Sequence, residues 1–404
     1  MPAEPEPGAV GPTIPLSRWA QRRLQELAAL TGSPRIADLD GASLLGERAA
    51  LGSFRIGGKV SAGPGSTRLL PTIDGDWFAL TLARAEDREL LPALFGVAGL
   101  DIADDAAIAQ LAAQRTCAEL LDTGRVLGLT VAGAHEEPVS PPESVLARGP
   151  HRQRPPGHRP RVVDLSALWA GPLAGHLLWL AGAEVIKVES LGRPDGMRTG
   201  DPDLFALLNQ GKASVALDLT DPASRDSLLA LMRPADIVLE SSRPRALLQL
   251  GIDAEALVRE VPGLVWVTIT GHGAQGDCAQ WTGMGNDCAV AGGLSRALAE
   301  ASGEIGFVGD ALADPLTGIA AVLAAWRGYR SGEAQRVALA MSSIAAAALR
   351  EEREHDAAAL NAELRAWRAS VGKAFPPVAR RAVEAAVPPL GADMARWLAA
   401  GWPC

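Results

Sequence analysis

Between residues 161 and 270, short runs of β-branched and aliphatic residues alternate with longer helical stretches. No other feature of the chain constrains its fold as strongly. The runs are RVVDL (161–165), AEVIKV (183–188), SVALDL (214–219), ADIVLE (235–240) and LVWVTIT (264–270). Short apolar strands spaced by helices mark βαβ units, because a parallel neighbour can only be reached by a crossover. The sequence therefore predicts an α/β fold with an open parallel sheet as the large domain, residues 161–341. Ligands in such sheets bind beyond the carboxyl ends of the strands. Chemistry is accordingly expected in the loops after Leu165, Val188, Leu219, Glu240 and Thr270.

The flanking segments read differently. Residues 1–16, rich in Pro and Glu, are expected to be a flexible tail. Residues 17–134 mix a helical stretch (19–30), a strand (77–82, WFALTL) after the Asp74-Gly75 turn, and another helical stretch (86–95). They predict a smaller α+β domain. Residues 135–160 are dense in Pro and Arg; proline removes amide donors and fixes φ, so this stretch reads as a linker. Residues 342–404 are expected to be a helical C-terminal segment, since 342–368 is rich in Ala, Glu and Arg.

Composition excludes several classes. With 38 Lys and Arg against 47 Asp and Glu, the 404-residue chain carries a net charge of −9. A general nucleic-acid binder needs the opposite balance. The cysteines, Cys117, Cys278, Cys288 and Cys404, form no C-x-x-C pair, so neither a disulfide framework nor a metal site is expected. The apolar stretch 168–186 is interrupted by Pro172, His176 and Glu184, which argues against a membrane span. The first residues lack the basic start and apolar run of a secretory signal. A soluble protein of cytoplasmic location is expected.

Some residues invite a chemical reading on their own. Asp314 precedes Pro315 and a helical run (316–326), the pattern of an N-cap followed by proline at the first helical position. Helix amides and dipole would favour its ionised form. Residues 271–276 spell G-x-G-x-x-G after a strand, but Asp277 to Gly283 reads as more loop, so the dinucleotide reading is weak. His176 and His272 are isolated and read first as hydrogen-bonded fillers. Cys288 has no matched histidine to activate it.

The segment VVDLSALWAGPLAGHLLWLAGAEVIKVE (162–189) resembles the opening unit of the class III coenzyme A transferases, the CaiB/BaiF type. That family includes formyl-CoA transferase, carnitine CoA-transferase and α-methylacyl-CoA racemase. The likeness continues in order through LNQGKASVALDL (208–219), VLESSRPRALLQLG (238–251), VWVTITGHGAQG (265–276), GMGNDCAVAGG (283–293) and ALADPLTGIA (311–320). The resemblance implies a Rossmann-like large domain and exchange of CoA between carboxylic acids, with Asp314 as the covalent nucleophile. It places Lys187, Lys212 and Arg243 at the CoA phosphates, and the turn Ala170-Gly171-Pro172 against the ligand. Loop amides at Gly57-Gly58 or Gly292-Gly293 are candidates for holding the oxyanion.

Racemases of the family use a histidine where this chain has Asn286, which cannot take a proton near neutral pH. Transferase is favoured over racemase on that ground. Asp287 and His272 remain auxiliary candidates, His272 standing where the family's glycine loop usually has an aromatic residue. The resemblance implies acyl-CoA and a small carboxylic acid as substrates, no permanently bound cofactor, and a homodimer. Residues 66–105 resemble the family's small domain, and 388–398 its ordinary C-terminal segment. The small domain would then precede the large one, in a permuted order. That rearrangement keeps a non-catalytic CoA-binding role open as an alternative.

Overall fold

The computed structural model describes residues 12–64, 66–400 and 402. The expected tail, residues 1–16, falls largely outside them, as does Cys404. Two sheets organise the chain. A three-stranded antiparallel sheet holds β1 (Thr67–Pro71), β2 (Trp77–Thr81) and β3 (Thr130–Gly133) in that order. A seven-stranded sheet holds β4 (Glu143–His151), β5 (Arg161–Asp164), β6 (Glu184–Ser190), β7 (Ala213–Leu217), β8 (Ile237–Glu240), β9 (Val265–Thr270) and β10 (Glu333–Ala340). Its order is β4-β10-β9-β8-β5-β6-β7, and every pair is parallel except β10 with β4.

The central strands are buried on both faces, which is why they read as unbroken apolar runs. Alternate residues feed two cores. Val162, Ile237, Leu239, Val265 and Val267 face one side, whereas Val163, Val188, Val238 and Trp266 face the other. From β5 the chain proceeds outward to β6 and β7, then returns to lay β8 on the other side of β5. The order of winding reverses between β5 and β8, and a crevice forms at the carboxyl end of such a reversal. There the Ala167 amide donates to Ser241 Oγ at 3.3 Å.

Three expectations are corrected. The stretch read as a linker contains β4, an edge strand whose outer side needs no partner and which therefore tolerates Pro150 at its end. Two residues after it are pinned to buried Asp236, which accepts from Arg154 Nε and His158 Nε2, each at 2.8 Å. Residues 17–51 do not belong with the three-stranded sheet. Trp19, Leu24, Leu27, Ile36, Leu44 and Leu45 sit in the same core as the sheet strands, so the helices Ser17–Thr31 and Gly41–Leu51 are part of the large unit. The C-terminal segment is only partly helical. Helix Met341–Arg368, interrupted by non-helical backbone at Asp356, is followed by an irregular stretch and then helix Met394–Ala400. That irregular stretch runs back across the N-terminal helices, where Arg381 forks onto buried Glu47 at 2.6 and 2.8 Å.

The small sheet docks by one face. Leu69, Ala79 and Ala132 pack against Val290, Ala291 and Phe307. This brings the end of β2 to the start of helix Gly285–Ala291.

Candidate active site

Two helices meet at the crevice. Helix Ala170–Leu180 starts after β5, and helix Ala313–Ser331 leads into β10. Gly318 lets them cross closely; a β-carbon there would lie 2.8 Å from the Ala170 carbonyl oxygen. The crossing brings the Ala170 backbone amide close enough to the Asp314 carboxylate to favour its ionised form. Asp314 is not an N-cap as the sequence suggested. The helix begins at Ala313, Leu312 flanks it, and no side-chain cap bond forms. The carboxylate is thus free of the helix's own amides. It points at Gly285, where a β-carbon would come within 2.2 Å of Oδ2.

Asp314 keeps part of its surface open to solvent. Its surroundings nonetheless push the carboxyl up to about 7. Burial is the main cause, Asp287 and Asp310 add repulsion, and Arg48 and the Ala170 amide oppose them. The expectation that helix amides would favour the ionised form is therefore overturned, because desolvation outweighs them. Two non-glycine residues with positive φ flank the site: Leu168 at 69° and Ala311 at 47°. Strain of this kind persists only where the surroundings impose it. Asn286 does so for Ala311, its Oδ1 accepting the Ala311 amide at 3.0 Å.

Asp287 is fully buried. It accepts from the Met284 amide at 3.0 and 3.3 Å, and Thr81 Oγ1 of β2 lies 3.4 Å away. Burial pushes its carboxyl up, with His272 opposing. Buried His272 lies edge-on to Trp281, 3.8 Å from Asp287 Oδ2 and 4.0 Å from Cys288 Sγ. His272, Asp287 and Cys288 therefore have the donor types and closeness to hold a cation, their ligand atoms all lying within 4.8 Å of one another. Asp287 is already engaged by the Met284 amide, and burial pushes the Cys288 thiol well up, away from the thiolate a metal would need.

The cations expected at the CoA phosphates divide. Lys187 is buried, bonded to the Ser166 carbonyl at 2.8 Å and paired with Asp195 at 2.9 Å. Lys212 is buried among Asp164 Oδ2, the Pro172 carbonyl and Asn209 Oδ1, at 2.8, 2.9 and 3.0 Å. Both are structural ion pairs beneath the crevice, and desolvation moves Lys212 down to about 8. A phosphate role for either is corrected on this geometry. Arg243 is exposed, just past β8. Of Ala170-Gly171-Pro172, the start of a helix, the Ala170 amide lies near Asp314, Gly171 backs onto Ser166, and the Pro172 carbonyl accepts from Lys212.

Gly292 packs against Ser342 and Ala345, and the Gly58 carbonyl accepts the Phe307 amide at 2.9 Å. Gly271–Gly276 is followed by a short 3-10 turn, Asp277–Gln280, so no helix opens there. Sequence reasoning missed Arg48. It comes from helix Gly41–Leu51 and grips buried Asp310 at 2.9 and 3.0 Å through Nη1.

Residues 160–372, just over half of the chain, match the model of CoA-transferase family III. The chain belongs to that family. Among its relatives is the succinate–glutarate CoA-transferase of Agrobacterium fabrum, 32% identical over 214 residues, 49% of this chain and 54% of that protein. The succinyl-CoA–D-citramalate CoA-transferase of Chloroflexus aurantiacus is 35% identical over 201 residues, covering 46% and 49%. A solved structure of protein Rv3272 from Mycobacterium tuberculosis aligns over 52% of this chain and 60% of that one, with 30% identity and a TM-score of 0.45. The chain spans about half the length of the curated relatives it matches. Among the described residues no helix is long and apolar enough to cross a membrane.

Proposed function

We propose that the protein moves coenzyme A from an acyl-CoA to a carboxylic acid through a covalent intermediate on Asp314. The observation carrying this reading is the placement of one carboxyl: partly open to solvent, pushed up to about 7, and near the Ala170 amide at the start of the helix that follows β5. A carboxyl titrating near neutrality exists in both forms at working pH, and its anion is more basic, hence a stronger nucleophile, than an ordinary aspartate.

In the reaction the Asp314 carboxylate attacks the thioester carbon. The C–S bond breaks, CoA thiolate leaves, and a mixed anhydride forms. The thiolate then adds to the Asp314 carbonyl of the anhydride and expels the first acid as its carboxylate, leaving an aspartyl-CoA thioester. An acceptor carboxylate attacks that carbonyl and frees the thiolate again. Attack of the thiolate on the acceptor's acyl carbon yields the new acyl-CoA and regenerates the Asp314 carboxylate. Each addition places negative charge on an oxygen beside Asp314, and the Ala170 amide is the donor supported for it. Arg243, exposed just past β8, is available to meet a CoA phosphate.

The racemase alternative needs a base at position 286. Asn286 offers none, and its oxygen is spent on the Ala311 amide. The test is incubation with a panel of acyl-CoAs and hydroxylamine, followed by mass analysis. An aspartyl hydroxamate at position 314 supports the transferase. Exchange of the α-hydrogen without hydroxamate would support a racemase. CoA binding with neither reaction would leave a binding protein.

A further inference from the structure

Arg48 has more hydrogen-bonding capacity than its partners use. Nη1 is committed to Asp310, but Nε is buried and has no hydrogen-bond partner. The nearest carboxylate oxygen to Nε, Asp201 Oδ2, stands off at 3.5 Å, while Asp201 Oδ1 caps helix Pro202–Asn209 by accepting the Leu204 amide. The guanidinium is held between two rings, its carbon 5.3 Å from the centroid of Phe54 and 5.8 Å from that of Trp169. Trp169 is 3% exposed, and its indole Nε1 is likewise buried without a partner. A buried donor left unpaired costs free energy comparable to a lost hydrogen bond. Two of them occur here on neighbouring side chains, and Trp169 directly precedes Ala170, whose amide lies near Asp314.

We propose that Arg48 Nε and Trp169 Nε1 form a carboxylate-binding subsite beside Asp314 that receives the acid substrate. The identity of the ligand rests on the transferase reading; the donor pair does not. A carboxylate has two acceptor oxygens and no donor, matching two N–H groups on separate side chains. The guanidinium supplies the charge that an anion needs near Asp287, Asp310 and Asp314, and its ring packing fixes its orientation before the ligand arrives. The N-terminal segment and the family segment together build this subsite, Arg48 coming from the first and Trp169 from the second.

The test uses the full chain labelled with nitrogen-15 at its tryptophan indoles. There are ten tryptophans, and Trp169→Phe assigns the relevant signal. Acetate and succinate are titrated separately. A saturable shift of the Trp169 indole with both acids, lost in Arg48→Gln and partly restored in Arg48→Lys, supports a subsite for the reacting carboxylate. A shift with succinate alone supports the same subsite holding a second carboxylate. Steady-state kinetics give an independent readout. Arg48→Gln is expected to raise KM for the acid roughly 10–100-fold, far more than KM for the acyl-CoA. An indole signal indifferent to both acids, or equal rises in the two KM values, overturns the subsite. Absence of the Asp314 hydroxamate in the wild type would instead overturn the transferase reading, and a saturable indole shift would still support the carboxylate site.

Discussion

Replacing Asp314 by asparagine should abolish transfer and at the same time stabilise the protein, in a pH-dependent way. The carboxyl is pushed from 3.8 up to about 7 in the folded chain. A raised carboxyl means that the unfolded state releases its proton first. The stability lost to this is therefore nil below pH 3.8, grows as the pH rises towards 7, and levels off above. A full shift of this size corresponds to about 4 kcal/mol, and partial solvent access reduces it to about 2 kcal/mol. Asparagine has no such penalty. At pH 8 the variant should melt about 2–3 °C higher than the wild type, given the unfolding entropy of a chain this long. The gap should shrink as the pH falls below about 7 and vanish only below about pH 3.8. Activity should fall by ~10⁴-fold or more, since no carboxylate remains to attack the thioester. In the wild type, the rate of CoA release should rise with pH through a midpoint near 7 and level off about a unit above it. Calorimetry across pH, paired with thiol detection of CoA release, measures all of this. A variant less stable than wild type at pH 8, or a gap that widens on acidification, would refute a desolvated, raised carboxyl at Asp314.

The neighbours of Asp314 give further tests. Gly285→Ala would set a β-carbon 2.2 Å from Asp314 Oδ2 and 2.5 Å from the Ala311 carbonyl, and the latter is backbone that cannot swing aside. Turnover should fall about 100-fold through displacement of the carboxylate, with about 1–3 kcal/mol lost in a urea melt. Lys212→Met leaves Asp164 buried beside a missing partner and should cost about 3–5 kcal/mol of stability in the same assay. Exposed Arg243→Gln should leave stability within about 0.5 kcal/mol and raise KM for acyl-CoA in a salt-sensitive way. Arg48 holds the Asp314 carboxyl down, so Arg48→Gln should move the rising limb of the pH–rate profile to higher pH.

The parallel sheet was legible because strands buried on both faces have no polar alternation to obscure them. Strands β5 to β9 lie within a few residues of the runs in the sequence. An edge strand such as β4 needs one partner only, so proline and arginine could occupy it and disguise it. The helices of residues 17–51 show their amphipathic period, but periodicity does not say which core receives the apolar face. Lys187 is a different kind of miss. It lies inside the run VIKV, where every neighbour is buried, and a lysine there must be paired within the protein. The same logic, applied to Lys212 beside Asp164, would have moved both from ligand cations to structural ones.

Arg48 was not legible at all, because no spacing rule links position 48 to position 314. The family match starts at residue 160, so the acids at the site come from the family segment and the cation that faces them comes from outside it. With Asp287, Asp310 and Asp314 all close by, the family segment alone would leave three carboxyls raising one another's affinity for protons. Arg48 shares a helix face with Leu44 and Leu45, one turn earlier, and both of these are buried in the core that the sheet strands line. Its position is therefore set by burial of apolar surface far stronger than its own contacts. The N-terminal helices thus place a charge that acts on both Asp310 and Asp314.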